Sequence, residues 1–267
     1  MTTVIGDGGL FYFKQGAWRS LSPVVATGGT ESIITVDGRL FKVHTFTASD
    51  DFVVSRGGEV EYLVVAGGGS GGNAFTNAPR HGGGGGAGAV VTGTTQVGSG
   101  SLPIVIGAGG VRSANVNVYG SNGVDSSALG ITATGGGAGG ASGISARNGQ
   151  SGGSGGGGGM QGSNPPAGLG GSGTQGNDGA DAVQNVRSGG GGGAGGAASG
   201  ISGGVGLTVF GSVYGVGGAG RDGVVGDVGE DGAANTGNGG EGGQGNTGSQ
   251  INAGNGGSGV VIIRYAL

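Results

Sequence analysis

Residues 217–232 read GGAGRDGVVGDVGEDG, with glycine at 217, 220, 223, 226, 229 and 232. The same spacing returns at 239, 242, 245 and 248, and at 170, 173, 176 and 179. A period of three is neither the 3.6 of an α-helix nor the 2 of a strand. It is the period of a polyproline-II helix, which has three residues per turn and rises about 3.1 Å per residue. One face of such a helix is bare backbone, so neighbours can approach closely. The conformation makes no internal hydrogen bonds, so each N–H and C=O must be met by another segment, as a bundle of parallel or antiparallel helices allows. Weak Cα–H···O contacts add to this. Denser runs, Gly82–Gly86, Gly135–Gly140 interrupted by Ala138, Gly155–Gly159 and Gly189–Gly193, belong at positions enclosed on all sides. A ten-residue run would extend about 31 Å.

Composition points the same way. Of 267 residues 81 are glycine, while apolar residues make up 34%, aromatics 5% and charged residues 10%. That supply is too poor for the large apolar core of an ordinary enzyme of this length. Collagen is excluded by 5 prolines and by the lack of a sustained Gly-X-Y register. Low charge and a mean hydropathy of +0.05 do not fit a solvated disordered tail. The net charge is −4, the pI is near 5.0 and the basic residues are scattered, so no electrostatic surface for nucleic acid is expected. Without cysteine there is neither a disulfide framework nor a zinc knuckle. The opening MTTVIGDGGLFYF lacks the pattern of a signal peptide, and no apolar stretch approaches membrane-spanning length.

Glycine divides the chain at Gly67: 9 glycines precede it and 72 lie from there onward. Ahead of it, Leu10–Lys14, Ser32–Val36, Leu40–Thr47, Phe52–Val54 and Glu59–Ala66 read as strands, with Asp37-Gly38 as a hairpin turn. Leu102–Ile106 and Val260–Tyr265 are similar runs. Val260-Val261-Ile262-Ile263 needs apolar partners, and the nearest supply is at 40–66. The expected fold is therefore mainly β without α-helix: a small sheet or sandwich built from both ends of the chain, carrying a polyglycine-II bundle. The divisions read as an N-terminal β attachment segment, 1–38; β-domain strands at 39–66 and 260–267; and a glycine-rich insertion, 67–259.

The spacers between glycine runs hold what the runs exclude: NAFTNAPRH (73–81), VRSANVNVY (111–119), ISARNGQ (144–150), MQGSNPPA (160–167), DAVQNVRS (181–188) and LTVFGSVY (207–214). Arginine, aromatics and asparagine recur there as though each spacer were a turn at the end of a slab.

The segment FKVHTFTASDDFVVSRGGEVEYLVVAGGGSGG, followed by HGGGGGAGAVVTGT, LPIVIGAGG, ITATGGGAGG and GNGGSGVVIIRYAL, closely resembles the glycine-rich domain of bacteriophage tail-fibre and other virion appendage proteins, over about 39–267. Phe11–Arg19, with Gly16 before Trp18-Arg19, looks like a short motif near the start of phage structural proteins. In the similar tip adhesins of T-even-type phages, layered polyglycine-II helices carry loops that contact host receptors. The resemblance implies a non-enzymatic virion protein located on the extracellular phage particle. Its partners would be a host cell-surface glycan or outer-membrane protein and other tail-fibre proteins, and it would act as one chain or as a trimer. Receptor contacts are expected from Phe75, Arg80, His81, Arg112, Tyr119, Arg147, Arg187 and Tyr214, and virion attachment from Trp18 and Arg19. A purely structural virion component is the alternative. An ice-binding protein is disfavoured by the lack of a regular Thr or Ala rank.

Catalytic chemistry has little to draw on. His44, in a strand, reads as structural; His81, beside Arg80, reads as a loop residue. No nucleophile elbow stands between strand and helix, and Gly-x-Gly-x-x-Gly matches follow from glycine content alone. Asp222, Asp227, Glu230, Asp231 and Glu241 read as solvated charges, because Gly170–Gln175 has glutamine where a calcium repeat needs aspartate. No cofactor and no metal are expected. Asn164-Pro165-Pro166 reads as a turn.

Overall fold

A computed structural model describes the strand course of residues 3–6, 9–14 and 17–20, and residues 23–74, 80–115, 117–143, 145–162, 166–223, 227–245 and 252–267 in full. Among these there are strands and irregular backbone and no α-helix. The strands are β1 (Thr3–Gly6), β2 (Gly9–Lys14), β3 (Ala17–Ser20), β4 (Val25–Thr27), β5 (Thr30–Val36), β6 (Arg39–Phe46), β7 (Asp50–Arg56), β8 (Gly58–Val65), β9 (Val90–Val97), β10 (Gly100–Ile104), β11 (Ser126–Ala128), β12 (Ile131–Ala133), β13 (Leu207–Val209), β14 (Ser212–Tyr214) and β15 (Val260–Ala266).

β5-β6-β15-β8-β9 form one antiparallel sheet and β10-β7-β4 a second. Phe46, Val60, Val64, Val261 and Ile263 of the first meet Phe52, Val54, Ala26 and Ile104 of the second in one buried cluster. The apolar run at 260–263 thus finds its partners at 40–66, as its composition requires: β15 lies between β6 and β8. Asp37 and Gly38 both have positive φ, 48° and 76°, the geometry of a two-residue hairpin turn. The boundary read at residue 38 consequently falls inside the β5–β6 hairpin. β4, β9 and the hairpins β11–β12 and β13–β14 were not read from the sequence. Both small hairpins turn on a residue-glycine pair with positive φ, Leu129-Gly130 (56°, 79°) and Phe210-Gly211 (49°, 83°).

His44 is wholly buried in this core. Its Nδ1–H donates to the Gly28 carbonyl (2.8 Å), so Nε2 is left to accept from the Tyr265 hydroxyl (3.1 Å). The ring lies edge-on to Phe52 at 5.1 Å. Burial pulls its pKa below the usual histidine value. This is the structural histidine that its strand position implied.

The glycine-rich part is a lattice. In 81–89 every residue donates its N–H to another segment. Residues 82, 85 and 88 donate to 243, 240 and 237; 83, 86 and 89 to 140, 137 and 134; 84 and 87 to 189 and 192. In return 72, 69 and 66 donate to the carbonyls of 83, 86 and 89, residues 157 and 154 to those of 84 and 87, and 218 to that of 85. Successive amides point to three neighbours in turn and successive carbonyls to three others, so this rod sits among six. The repeat of three and the hexagonal surround are what polyglycine-II packing requires. The 66–74 and 154–161 runs are enclosed in the same way.

Close approach explains the composition. A Cβ on Gly84 would lie 2.0 Å from the Gly218 carbonyl oxygen, and one on Gly69 2.2 Å from that of Gly137; neither distance is physically available to carbon. The rods are shorter than the glycine periodicity suggests. The period in 217–232 spans two antiparallel rods, 215–221 and 227–233, and that in 170–179 is interrupted by a turn at 173–176.

Candidate functional site: the loop face of the lattice

Each rod enters or leaves the sandwich at one end, and this decides where the spacers go. β8 runs directly into the rod at 66–74, and the rod at 81–89 runs back into β9. The rods at 107–113, 134–142, 154–161, 177–183, 215–221 and 237–245 lead away from the sandwich, and those at 120–125, 147–153, 166–173, 187–195, 227–233 and 252–259 return. Among the described residues, alternation gathers the rod ends at 74, 81, 113, 142, 161, 183, 187, 221 and 245 at the end far from the sandwich.

Side chains knit this face together. Buried Asn73 donates from Nδ2 to the Ser113 carbonyl (2.6 Å), accepts on Oδ1 from the Ala253 N–H (2.8 Å), and accepts on its own carbonyl from the Ser142 N–H (3.0 Å). Three loops thus meet on one residue. Gln184 Nε2 donates to the Gln161 carbonyl (2.6 Å) and Gln244 Nε2 to that of Asp222 (2.6 Å). Arg221 binds Glu241 at 2.6 Å, with Asp227 at 3.7 Å. Asp231 Oδ1 accepts from the Asn255 N–H at 2.6 Å. Asp231 and Glu241 therefore have hydrogen-bonded partners, whereas the Asp227 side chain is 63% exposed and stays a solvated charge.

The residues expected to bind receptor are divided by the structure. Arg112 lines a groove of about 360 Å³ with Val111, Ser113, Ala114, Asn252 and Asn255. Its N–H donates to Asn255 Oδ1 at 2.9 Å. Tyr119 and Arg147 come together in a second groove, of about 250 Å³, with Ser145, Asn148, Pro166 and Ala167; an Arg147 Nη1 hydrogen bond to the Pro166 carbonyl fixes the guanidinium there. Arg80 and Arg187 are half-buried at the same end. Phe75, and with it the Asn164-Pro165 pair, lies outside the described residues.

Two assignments need correction. His81 is completely buried: its N–H and C=O pair with those of Met160 (3.0 and 2.7 Å), making it the first residue of the central rod rather than a loop side chain. Neither of its ring nitrogens has a hydrogen-bond partner, and burial lowers its pKa, with Asp222 opposing. Tyr214 closes β14 at the opposite, sandwich end, where the β13–β14 hairpin packs Val209 against Leu63, Val65 and Val260. Spacer 207–214 folds as a hairpin because Phe210-Gly211 accepts positive φ. Trp18 and Arg19 stand in β3, opposite Phe13 and Tyr12.

Asparagine and aspartate carry a function that their spacing could have revealed. Where a peripheral rod has no backbone carbonyl facing it, a side-chain oxygen takes the place. Asn122 and Asp125 accept from Ala138 and Gly135 (both 2.8 Å), and Asp178 and Asp181 from Gly173 and Gly170 (2.8 and 2.7 Å). Each pair is three residues apart, the rod repeat. Among the described residues no group of three or more His, Cys, Asp or Glu is placed to hold a metal, and no helix is long and apolar enough to cross a membrane.

A family model described as a glycine-rich domain matches residues 45–266. The chain belongs to this glycine-rich domain family. No curated protein matches it.

Proposed function

We propose that this protein is a non-enzymatic bacteriophage virion appendage protein, a tail-fibre tip or related adhesin, whose loop face contacts a host cell-surface receptor. The observation that carries the reading is the segregation of loops. A lattice held by backbone hydrogen bonds collects Arg80, Arg112, Tyr119, Arg147 and Arg187 at one end, and the sandwich occupies the other. Such a rigid base holds loops in fixed relative positions, which lowers the ordering cost of binding. Repetition on a particle would make shallow contacts effective through avidity. Under this reading β1–β3, with Trp18 and Arg19, is the side that attaches to the particle.

Adsorption of fluorescently labelled protein to a panel of bacterial strains tests the proposal, with heat-unfolded protein as control. Saturable binding to a few strains is expected, lost when Arg80, Arg112 and Arg147 are replaced together in a protein that still folds. Unchanged attachment by the folded triple variant would remove the loop face from the reading. No attachment to any strain, the propagating host included, would replace it with a structural role in the particle.

A further inference from the structure

Among the described residues the two sheets of the sandwich end in four edge strands, β5 and β9 of one and β4 and β10 of the other, and three of these are blunted against pairing. β4 is three residues long and bulges between Val25 and Ala26, and Lys42 Nζ donates to its Ala26 carbonyl at 3.2 Å. β10 carries Pro103, which has no N–H to offer a neighbour. β9 is interrupted by Gly93 and turns Thr92, Thr94 and Gln96 to solvent. β5 has none of these devices. Its sequence TESIITV runs seven residues without proline, glycine, lysine or arginine, pairs with β6 in unbroken register, and leaves Ile33 62% and Ile34 38% exposed. Its one charge, Glu31, is engaged by Lys42 at 2.9 Å. An open β-branched edge of this length invites a further strand.

The backbone says what that strand must be. Leu267 donates its N–H to the Leu40 carbonyl at 3.0 Å, so the peptide groups of Leu40 face β15, and those of Thr35, opposite it on β5, face away from β6. Alternation turns the N–H and C=O of Ile33 and Glu31 outward as well. Among the described residues no strand pairs with β5 on that side. Ile33 is the midpoint of Thr30–Val36. A second β5 related by a two-fold axis at Ile33 therefore aligns over the whole strand, with Ile33 opposite its own counterpart and Glu31 opposite Thr35 in both directions. All three pairs are of the hydrogen-bonded kind and together supply about six bonds, two from each. No like charges oppose one another, because Glu31 meets a threonine. Leu40 and Leu267, both exposed, lie on the same sheet face as Ile33 and widen the apolar strip beside the axis.

We propose that β5 pairs with β5 of a second copy of this chain, joining the two five-stranded sheets into one across a two-fold axis at Ile33. The paired strands run antiparallel, so the lattices of the two copies lead away from each other and their loop faces stand at opposite ends of the dimer. The pairing is independent of what the loop face binds.

Sedimentation equilibrium of the full chain across a range of concentrations tests this and should show monomer and dimer in exchange. Ile33→Lys sets two ammonium groups against each other at the axis, and in protein with an unchanged circular dichroism spectrum it should weaken dimerisation by at least about tenfold. The chain has no cysteine, so single substitutions read the register. Under oxidation Ile33→Cys should form a disulfide between copies, because a hydrogen-bonded pair places its Cα atoms about 5.5 Å apart. Glu31→Cys alone should not, its counterpart lying about 14 Å away along the strand, whereas Glu31→Cys mixed with Thr35→Cys should. A monomer at every concentration, a trimer, a dimer that Ile33→Lys leaves intact, or cross-linking by Glu31→Cys alone in preference to Ile33→Cys would overturn the proposal.

Discussion

Gly72 donates its N–H to the carbonyl of Gly83 at 2.9 Å, in the same antiparallel register that pairs Val65 with Val90 in β8 and β9. The strand pair does not end where the lattice begins. Ala66 pairs with Ala89, Gly69 with Gly86 and Gly72 with Gly83, so the ladder continues with contacts every third residue instead of every second. β15 does the same against β8: Gly68 and Gly71 donate to Gly257 and Gly254, continuing the register of Val65 with Val260. The sheet therefore templates the lattice, and its alignment fixes which glycines become neighbours.

Methyl groups should be intolerable inside the lattice and harmless outside it. Gly84→Ala places a Cβ 2.0 Å from a backbone oxygen, whereas one on Gly98 meets nothing within 4 Å. Denaturant unfolding is expected to show Gly84→Ala destabilised by at least the upper end of the ~1–3 kcal/mol typical of overpacking, and Gly98→Ala within about 0.5 kcal/mol of the parent. Equal stabilities would mean that the rods are not packed as described.

Stability should decline as the solution is acidified. Burial holds the pKa values of His44 and His81 below the ordinary 6.5. As pH falls through that value the unfolded chain takes up protons that the folded one refuses, so unfolding is favoured down to the folded-state pKa values. Melting temperatures at pH 8, 7, 6 and 5 should drop mainly below pH 7. An acid-insensitive melting temperature would contradict the buried, neutral state of both rings.

The two histidines should respond oppositely to replacement. His44 bonds through both nitrogens, so His44→Leu strands the Gly28 carbonyl and the Tyr265 hydroxyl at a cost of about 1–3 kcal/mol. His81 makes no ring hydrogen bond, and His81→Leu should raise stability at neutral pH by about 1 kcal/mol while flattening the acid dependence. Chemical denaturation of both variants at pH 7 and pH 5 measures this.

Side-chain acceptors should be replaceable only by other acceptors. Asn122→Ala orphans the part-buried Ala138 N–H and is expected to cost about 1–3 kcal/mol, whereas Asn122→Asp should cost little. For Asp178 and Asp181 the neutral isostere asparagine should suffice. Thermal melts of the paired variants distinguish lattice acceptors from surface charges, for which alanine and asparagine would be equivalent.

Backbone bonding alone should protect the central rod from solvent. Amides of 82–89 belong to no helix or strand until β9 begins, yet hydrogen–deuterium exchange should place them with β8 and β15 among the slowest in the molecule. Fast exchange there would be incompatible with the six-neighbour surround.

Much of this architecture was legible, for identifiable reasons. Three-residue spacing can be read because a bare face must recur once per turn, and the apolar run at 260–263 named its own partners. What escaped notice depended on register and conformation. Nothing local in the sequence marks where the rod at 215–221 stops, so 217–232 read as a single run. LTVFGSVY and SSALGITA became hairpins because Phe210 and Leu129 take positive φ beside glycine, which their side chains do not advertise. His81 looked like a loop residue because it follows Arg80, yet it begins a rod enclosed by six others. Arg147 and Tyr119 lie far apart along the chain, and only the alternation of rods brings them into one groove.

The position of β15 sets the order of events during folding. Arg264 binds Glu61 across 203 residues of chain, and β15 is the strand that hydrogen-bonds to both β6 and β8. Until that strand arrives, the aligned edge from which the glycines take their register is incomplete, and the whole insertion is a loop that must be closed at an entropic cost. Acquisition of the native state should therefore be slow and all-or-none, governed by the capture of one late hydrophobic segment rather than by the condensation of glycine.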